Sequence, residues 1–276
     1  MTPAELFSLD GRVAVLTGAG GFLGQAMAAA LLEAGARLIA PGRSTSLDRL
    51  AACWIERYGE DRVATYPVDL ADPHSLDALV DALHRAEPQI DVLVNNAHQL
   101  TTASGFNTQG GTFEEMDAAQ WSAHLDGGTW WAARLTQGVG DQLKASAGSV
   151  VNVSSMYGLV APSPALYEGT GKVNPAAYSV AKAGLMGLTR YLASYWGQHG
   201  VRVNALLPGP FSDVGGDGQN SVTADDPFLA RLGQRTCLGR TGRPEELAGA
   251  LVFLASAASS YMTGHGLVVD GGWTVT

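Results

Sequence analysis

Short apolar runs alternate along this chain with longer segments in which apolar residues follow helical spacing. The runs stand at 12–17, 36–40, 91–95, 149–154, 201–207 and 266–270. They are rich in Val, Leu and Ile without polar alternation, which is typical of strands covered on both faces. This alternation predicts an α/β fold: a doubly wound, mostly parallel, Rossmann-like sheet with helices on either side.

The first strand leads directly into a glycine-rich turn and a helix. The segment TGAGGFLG at 17–24 follows the run at 12–17, and a helix-type pattern continues to about Gly35. Such a turn brings backbone N–H groups and the positive end of the helix dipole to a point where a pyrophosphate binds. We therefore predict a dinucleotide site at this turn. Its candidate residues are Gly18, Gly21, Phe22, Leu23 and Gly24.

Composition limits the size, the partners and the compartment of the protein. The 276 residues are 46% hydrophobic and 16% charged, which suits one large domain over 1–276. A net charge of −9 argues against nucleic acid and anionic membrane surfaces as partners. We expect no membrane span, no signal peptide and, with Cys53 and Cys237 far apart in the chain, no disulfide framework. We expect a cytoplasmic protein, and the spacing of the six histidines predicts no metal site.

Tyr178 and Lys182 stand four residues apart in PAAYSVAKAG, one turn apart on a predicted helix. A cation about 4 Å from a phenol, at an effective dielectric near 20, favours the phenolate by roughly 4 kcal/mol. The lysine would thus make the tyrosine a usable acid and base at neutral pH. Such pairs also occur by chance on exposed helices, so the weight of this one depends on the motifs around it.

Five segments, in order, resemble the short-chain dehydrogenase/reductase family. They are TGAGGFLG at 17–24, VDL at 68–70, NNA at 95–97, VNVSS with the Tyr-x-x-x-Lys pair at 151–182, and RVNALLPGP followed by FLAS and VVDGG. The resemblance covers nearly the whole chain. It implies a nicotinamide dinucleotide, hydride transfer between an alcohol and a carbonyl, and a homo-oligomer, dimer or tetramer, with contacts at about 117–145 and 175–198.

The resemblance also implies roles for individual residues. Tyr178 would be the general acid in reduction and the general base in oxidation, while Lys182 would lower its pKa and bond the nicotinamide ribose. Ser155 would hold the substrate oxygen. The alternative interpretation of Ser155 is a strand-end serine that caps a turn. Asp69 would accept a hydrogen bond from the adenine amine, or else simply form a turn. Further implied cofactor contacts are Leu70, Asn95, Ala97, Pro208 and Gly209.

One departure from the family concerns a catalytic asparagine, expected a few residues after Trp121. The segment WSAHLDGGTWWAARL contains none, and the stretch looks replaced or shortened at Gly127 and Gly128. The loss leaves open a dinucleotide-binding protein with weak or no catalysis. A sugar-nucleotide epimerase or dehydratase ranks third, because little chain follows VVDGGW for a substrate domain. His98, directly after NNA, is a candidate for the cofactor cleft, with ordinary loop placement as its alternative.

Three irregular segments, 98–111, 159–174 and 208–226, follow the ends of predicted strands and are expected to be active-site loops. The second lengthens the Ser155 to Tyr178 spacing to 23 positions. Its polar side chains favour a polar substrate, and YGLVAP and YEGT resemble a family branch associated with sugar and sialic-acid-like sugar metabolism. A solvated insertion or a subunit contact is the alternative. These polar residues are Tyr167, Glu168, Thr170, Lys172 and Asn174.

The end of the second predicted strand bears on the choice of cofactor. NAD-preferring members of the family carry an acidic residue here, whereas this chain has Gly42 followed by Arg43. A guanidinium bonds a 2′-phosphate through two charge-assisted hydrogen bonds, and no carboxylate is present to repel it. We therefore predict NADP over NAD. NAD stays possible because Arg43 would stack on adenine with either cofactor.

Overall fold

The computed structural model describes residues 1–43, 45–216 and 221–276, and within them seven strands form one parallel sheet. The strands are β1 (Val13–Leu16), β2 (Arg37–Gly42), β3 (Val63–Pro67), β4 (Val92–Asn95), β5 (Ser149–Val153), β6 (Arg202–Pro208) and β7 (Gly266–Val269). Their order across the sheet is β3-β2-β1-β4-β5-β6-β7, and every neighbouring pair is parallel. The predicted doubly wound α/β fold is therefore confirmed.

Helices connect these strands. They are α1 (Pro3–Phe7), α2 (Phe22–Glu33), α3 (Thr45–Tyr58), α4 (Pro73–Ala86), α5 (Ala118–Leu125), α6 (Trp131–Gly138), α7 (Gly140–Ser146), α8 (Pro164–Tyr167), α9 (Ala176–Trp196), α10 (Pro227–Gln234) and α11 (Ala248–Ala255). Across the described ranges, no helix combines the length and the apolarity needed to cross a membrane.

Strand β3 is the element that the apolar pattern did not predict. It lies at the edge of the sheet, and its burial alternates along VATYP, with only Val63 fully buried. An edge strand needs no continuous apolar run, and its last residue, Pro67, is tolerated at such an edge. The six predicted runs correspond to the other six strands; β7 is also an edge strand, but it keeps a continuous apolar run because its side chains are partly covered on both faces.

The core consists of two layers, one on each face of the sheet. Ala14 and Leu16 of β1 pack in a buried cluster with residues of α2 and α11. Val15, between them, belongs to the cluster on the opposite face, with residues of α4 and α9. Successive strand side chains point to opposite faces, so both faces of β1 require apolar residues.

All three predicted active-site loops begin at the carboxyl edge of this parallel sheet. The loop 98–111 follows β4 and contains two short 3₁₀ turns, Thr102–Ser104 and Gln109–Gly111. The loop 159–174 lies beyond β5 and contains α8, and the third loop leaves β6. Residues 217–220 of the predicted loop 208–226 lie outside the described residues. The edge where ligands bind in open α/β sheets is thus where these loops meet.

Candidate active site

A cavity of about 1500 Å³ runs along the carboxyl edge of the sheet, between the α2 turn and the loops after β4, β5 and β6. It exceeds the roughly 300–1,000 Å³ that holds one drug-sized ligand, so a cofactor and a substrate fit together. The predicted site residues that line it are Gly18, Gly21, Phe22, Leu23, Gly24, Arg43, Asp69, Leu70, Ala97, Ser155, Tyr178, Lys182, Pro208 and Gly209.

Asn95 is the predicted site residue that the structure does not bring to this cavity. Its side chain is buried, and its amide nitrogen donates to Thr136 Oγ1 at 3.0 Å and to Asn152 Oδ1 at 2.8 Å. The neighbouring Asn96 lines the cavity instead, and its amide nitrogen donates to the backbone oxygens of Thr17 and Gly18. This corrects the expectation for Asn95: side chains at adjacent positions point in opposite directions, and Asn95 points into the helix layer.

The glycine turn has the geometry of an anion cradle. Gly18 has a φ of +69°, and a Cβ there would stand 2.9 Å from Asn96 Nδ2. A Cβ on Gly24 would come within 2.0 Å of the Gly18 oxygen, so the turn closes tightly on α2. Gly21, the N-cap of α2, has no side chain to cover the first N–H groups of the helix. These groups are therefore available to a pyrophosphate, and the turn fits a dinucleotide.

Ser155, Tyr178 and Lys182 meet where β5 ends against α9. Lys182 Nζ donates to the Val153 oxygen at 2.8 Å, and Ser154 Oγ donates to the Lys182 oxygen at 2.8 Å, which fixes α9 to the strand end. The Lys182 ammonium lies 5.8 Å from the centre of the Tyr178 ring, and the Ser155 hydroxyl is close enough to the Tyr178 phenol to oppose the rise of its pKa.

Ser155 also has the geometry of a turn cap. Its Oγ accepts from the Tyr157 N–H at 3.1 Å and begins the 3₁₀ turn Met156–Gly158. The same Ser155 side chain therefore caps the turn and lies beside Tyr178. The cap restricts the Ser155 rotamer and so fixes the direction of its hydroxyl.

Burial controls the protonation of Tyr178 and Lys182. Burial raises the pKa of Tyr178 to about 12, against an opposing effect of its hydrogen bond with Ser155. Burial also lowers the pKa of Lys182 to about 7. The expected lowering of the Tyr178 pKa by Lys182 is therefore not what this geometry gives, because desolvation dominates for both groups. At neutral pH the phenol keeps its proton.

The loop 159–174 is fixed to α10 and presents part of its polar surface to the cavity. Lys172 Nζ lies 2.8 Å from Asp226 Oδ2, and Arg231 Nη1 donates to the Glu168 oxygen at 2.6 Å. Of the five polar residues predicted to meet a substrate, Glu168 and Thr170 do not line the cavity. The three that do are Tyr167, Lys172 and Asn174. Among the described residues, Asn174 Oδ1 is buried without a hydrogen-bond partner.

A pair of histidines packs against Tyr178. His98 Nε2 lies 3.1 Å from His124 Nδ1, and the ring centres of His98 and Tyr178 are 5.3 Å apart. His98 lines the cavity, which agrees with its interpretation as a candidate for the cofactor cleft. His124 was not singled out, because nothing in its local sequence distinguishes it from an ordinary helical residue.

The His98 ring occupies space beside the helix where the family asparagine was expected. Gly127 and Gly128 lie in a π-helical turn, Asp126–Trp130, between α5 and α6. A Cβ on Gly128 would stand 2.7 Å from His98 Cε1. Two sequence signals, a histidine after NNA and a glycine in place of the asparagine, thus belong to one contact that only the fold brings together.

Arg43 lines the cavity at the end of β2, beside the predicted Asp69. Its Nη1 donates to Asp69 Oδ2 at 2.7 Å, and Asp69 Oδ1 accepts from the Ala71 N–H. Asp69 therefore has the contacts of a turn residue and also lines the cavity. Gly42 ends β2, so the strand end has no carboxylate of its own.

Comparisons with known proteins agree with this site. A family model described as enoyl-(acyl carrier protein) reductase matches residues 18–274. Sorbose reductase of Candida albicans is 33% identical over 275 residues, which cover 98% of this chain and 89% of that protein. Gluconate 5-dehydrogenase of Gluconobacter oxydans is 32% identical over 277 residues, covering 100% of both chains.

Solved structures extend the likeness to the fold. The crystal structure of a gluconate 5-dehydrogenase from Burkholderia cenocepacia, in complex with NADP and tartrate, is 28% identical to this chain. It superimposes with a TM-score of 0.82, and the match covers 100% of each chain. With matches that span nearly its full length, the chain belongs to the short-chain dehydrogenase/reductase family, the NAD(P)-dependent oxidoreductases that interconvert alcohols and carbonyls.

Proposed function

We propose that this protein transfers a hydride between NADP and a polyhydroxylated substrate, a sugar, polyol or sugar acid. The observation that carries the proposal is the meeting of Ser155, Tyr178 and Lys182 on the wall of the large cavity. A partly buried phenol beside a serine hydroxyl and a lysine is an acid–base group directed at an oxygen-bearing carbon. The loops at 98–111 and 159–174 form the substrate side of that cavity.

Tyr178, Ser155 and Lys182 have different roles in the reaction. A nicotinamide bound here supplies the hydride acceptor or donor. In oxidation, Tyr178 Oη acts in its phenolate form and takes the proton of the substrate hydroxyl, while the C–H hydrogen leaves with its electron pair as hydride to the nicotinamide. In reduction, Tyr178 returns a proton to the carbonyl oxygen. Ser155 donates a hydrogen bond to that oxygen and stabilises the charge that grows on it. Lys182, held by its hydrogen bond to the Val153 oxygen, lies beside the phenol and would bond the nicotinamide ribose.

The NADP preference is supported by the end of β2 and by the glycine turn. Gly42 offers no carboxylate to bond the ribose hydroxyls of NAD, and Arg43 lines the cavity next to it. The guanidinium bonds a 2′-phosphate in addition to its ion pair with Asp69. One related structure contains NADP.

A polyhydroxylated substrate is supported by the polar groups near Tyr178. Asn174 Oδ1 is a buried acceptor without a partner in the described part of the chain, so it gains a hydrogen bond from a substrate hydroxyl. The hydroxyls of Tyr157 and Tyr167 are hydrogen-bonded at 3.0 Å, and burial raises the pKa of both, so both stay neutral and the one that accepts in this pair keeps its own O–H for a substrate. The names of the relatives, sorbose reductase and gluconate 5-dehydrogenase, refer to substrates of this class.

The first experiment is a turnover assay on sugars, polyols and sugar acids with NADP and with NAD. We expect Tyr178→Phe to remove nearly all turnover while NADP binding, measured by fluorescence, stays within about threefold, since the phenol acts on the substrate oxygen. Full activity of that variant would refute the assignment. Binding without turnover of any substrate by the wild type would favour the alternative of a dinucleotide-binding protein with weak or no catalysis.

The second experiment tests the substrate class. Asn174→Leu removes the buried acceptor, and we expect KM for the best polyol to rise by roughly 10-fold or more with little change in KM for NADP. Glu168→Gln is the matched control, because Glu168 lies in the same loop but does not line the cavity. Equal effects of the two substitutions would contradict the proposed role of Asn174.

We further propose that the protein is a homo-oligomer, with α9 among the contacts. Val180, Tyr191 and Tyr195 are exposed on this helix, and the two tyrosine rings stack with centres 5.7 Å apart. Exposed aromatic pairs of this kind are typical of subunit contacts. Light scattering should give a dimer or tetramer mass, and Tyr191→Glu combined with Tyr195→Glu should reduce it. A monomer mass for the wild type would exclude this proposal.

A further inference from the structure

The two histidines beside Tyr178 form a chain of hydrogen bonds with one direction. His124 Nε2 lies 2.9 Å from the Ser104 oxygen, and His124 is fully buried. A carbonyl oxygen only accepts, so His124 Nε2 carries the proton and donates it to Ser104. Burial lowers the pKa of His124, so the ring is neutral at pH 7 and its Nδ1 is an acceptor.

The direction of this bond determines the tautomer of His98. Since His124 Nδ1 accepts, His98 Nε2 at 3.1 Å must carry a proton and donate it. Burial, with the nearby charge of Lys182, lowers the pKa of His98 well below its usual value. The neutral ring therefore leaves a lone pair on His98 Nδ1. Among the described residues, this atom is buried without a hydrogen-bond partner.

The position of this acceptor is fixed from two sides. The His98 ring packs on the Tyr178 ring at 5.3 Å, and a Cβ on Gly128 would stand 2.7 Å from His98 Cε1 and 3.2 Å from Nδ1. Only glycine at 128 leaves room for the imidazole. An unsatisfied acceptor beside the buried Lys182 and His124 costs free energy, and it persists where a function uses it.

On the basis of the proposed function, we infer that His98 is a positioning residue whose Nδ1 holds a water molecule between the imidazole and the Lys182 ammonium. Each turnover exchanges one proton between the partly buried Tyr178 and solvent, and a held water gives that proton a path past Lys182. Lys182 is a donor, with one N–H directed to Val153. His98 thereby takes the place of the amide side chain that the family resemblance led us to expect at the facing helix.

The kinetic test uses two substitutions of His98 with opposite chemistry. His98→Phe keeps a ring against Tyr178 but removes the acceptor. We expect kcat to fall about 10- to 100-fold, which is less than the fall expected for Tyr178→Phe, and KM for NADP to stay within twofold. His98→Asn carries an amide oxygen on the same carbon that bears Nδ1, and we expect it to recover at least tenfold of that loss. The solvent deuterium isotope effect on kcat should rise in His98→Phe only.

The outcomes separate this inference from the proposed function. If Tyr178→Phe is inactive while His98→Phe keeps wild-type kcat, or both His98 variants lose activity equally, the inference is wrong and the function stands. If Tyr178→Phe is active, the function itself fails. Thermal unfolding of each variant shows whether it is folded, and if His98→Asn does not fold, the ring-nitrogen measurement below decides.

A second measurement needs no turnover. With ¹⁵N-labelled histidine, the six imidazoles of the cofactor-free protein give ring-nitrogen shifts that report protonation and tautomer. The signals missing in His98→Phe identify His98. We expect an unprotonated Nδ1 and a protonated Nε2 at pH 7. A protonated Nδ1, or a cationic ring at this pH, would overturn the inference.

Discussion

Lys182 is a buried ammonium, and its replacement should change the pH dependence of stability. Burial lowers the pKa of Lys182 from 10.5 to about 7 in the folded protein. In the unfolded chain the same amine holds its proton up to about pH 10.5. Between these values the unfolded state binds more protons, so this group makes the free energy of unfolding rise with pH. Below about pH 7 the folded protein bears the full cost of a buried charge.

The size of the effect follows from the two pKa values. At 1.36 kcal/mol for each tenfold change in the ionisation constant, the cost below pH 7 is about 5 kcal/mol relative to pH above 10.5. Lys182→Met removes the charge and keeps the length and apolar stem. The hydrogen bond from Lys182 to the Val153 oxygen is lost too, at about 1 kcal/mol, but this loss does not vary with pH.

The assay is urea unfolding of wild type and Lys182→Met from pH 6.5 to pH 9.5, at one protein concentration. We expect the stability advantage of Lys182→Met to be largest at pH 6.5 and to shrink by about 3 kcal/mol at pH 9.5. Tyr178→Phe is the control, because the pKa of Tyr178 is raised to about 12 and it does not titrate in this range. A difference between wild type and Lys182→Met that stays constant across this range would refute the reasoning.

Three further predictions concern the cofactor and the acid–base group. Gly24→Ala places a Cβ 2.0 Å from the Gly18 oxygen, so we expect NADP affinity to fall at least about tenfold. Gly20→Ala is the control and should bind NADP normally, because its Cβ would have its nearest neighbour at 3.7 Å. Calorimetry measures both affinities. Arg43→Ala should lower kcat/KM with NADP roughly tenfold or more and leave that with NAD nearly unchanged; equal losses would contradict the 2′-phosphate contact. Because the pKa of Tyr178 is raised to about 12, kcat/KM for alcohol oxidation should increase with pH up to pH 10, while ketone reduction should show no such increase; parallel profiles would argue against this role.

The strands of the fold were predictable where burial on both faces makes the sequence continuously apolar. β3 was not, because its burial alternates and it ends in a proline, and both weaken the apolar signal, whereas the other edge strand, β7, has a continuous apolar run and was predicted. The cofactor turn was predictable because strand, glycines and helix are consecutive in sequence. Asn95 and Asn96 are adjacent, and which of them meets the cavity depends on strand register, which a motif does not specify.

The sequence by itself determined the parallel α/β sheet, the glycine turn and the pairing of Tyr178 with Lys182, because each depends on residues close together in the chain. Only the tertiary structure decided how these groups are charged, since desolvation raises the pKa of Tyr178 and lowers that of Lys182. It also joined His98 to His124 across 26 residues and matched the imidazole to Gly128. Burial and contacts between distant segments arise from packing, so the spacing of residues within a local motif does not predict them.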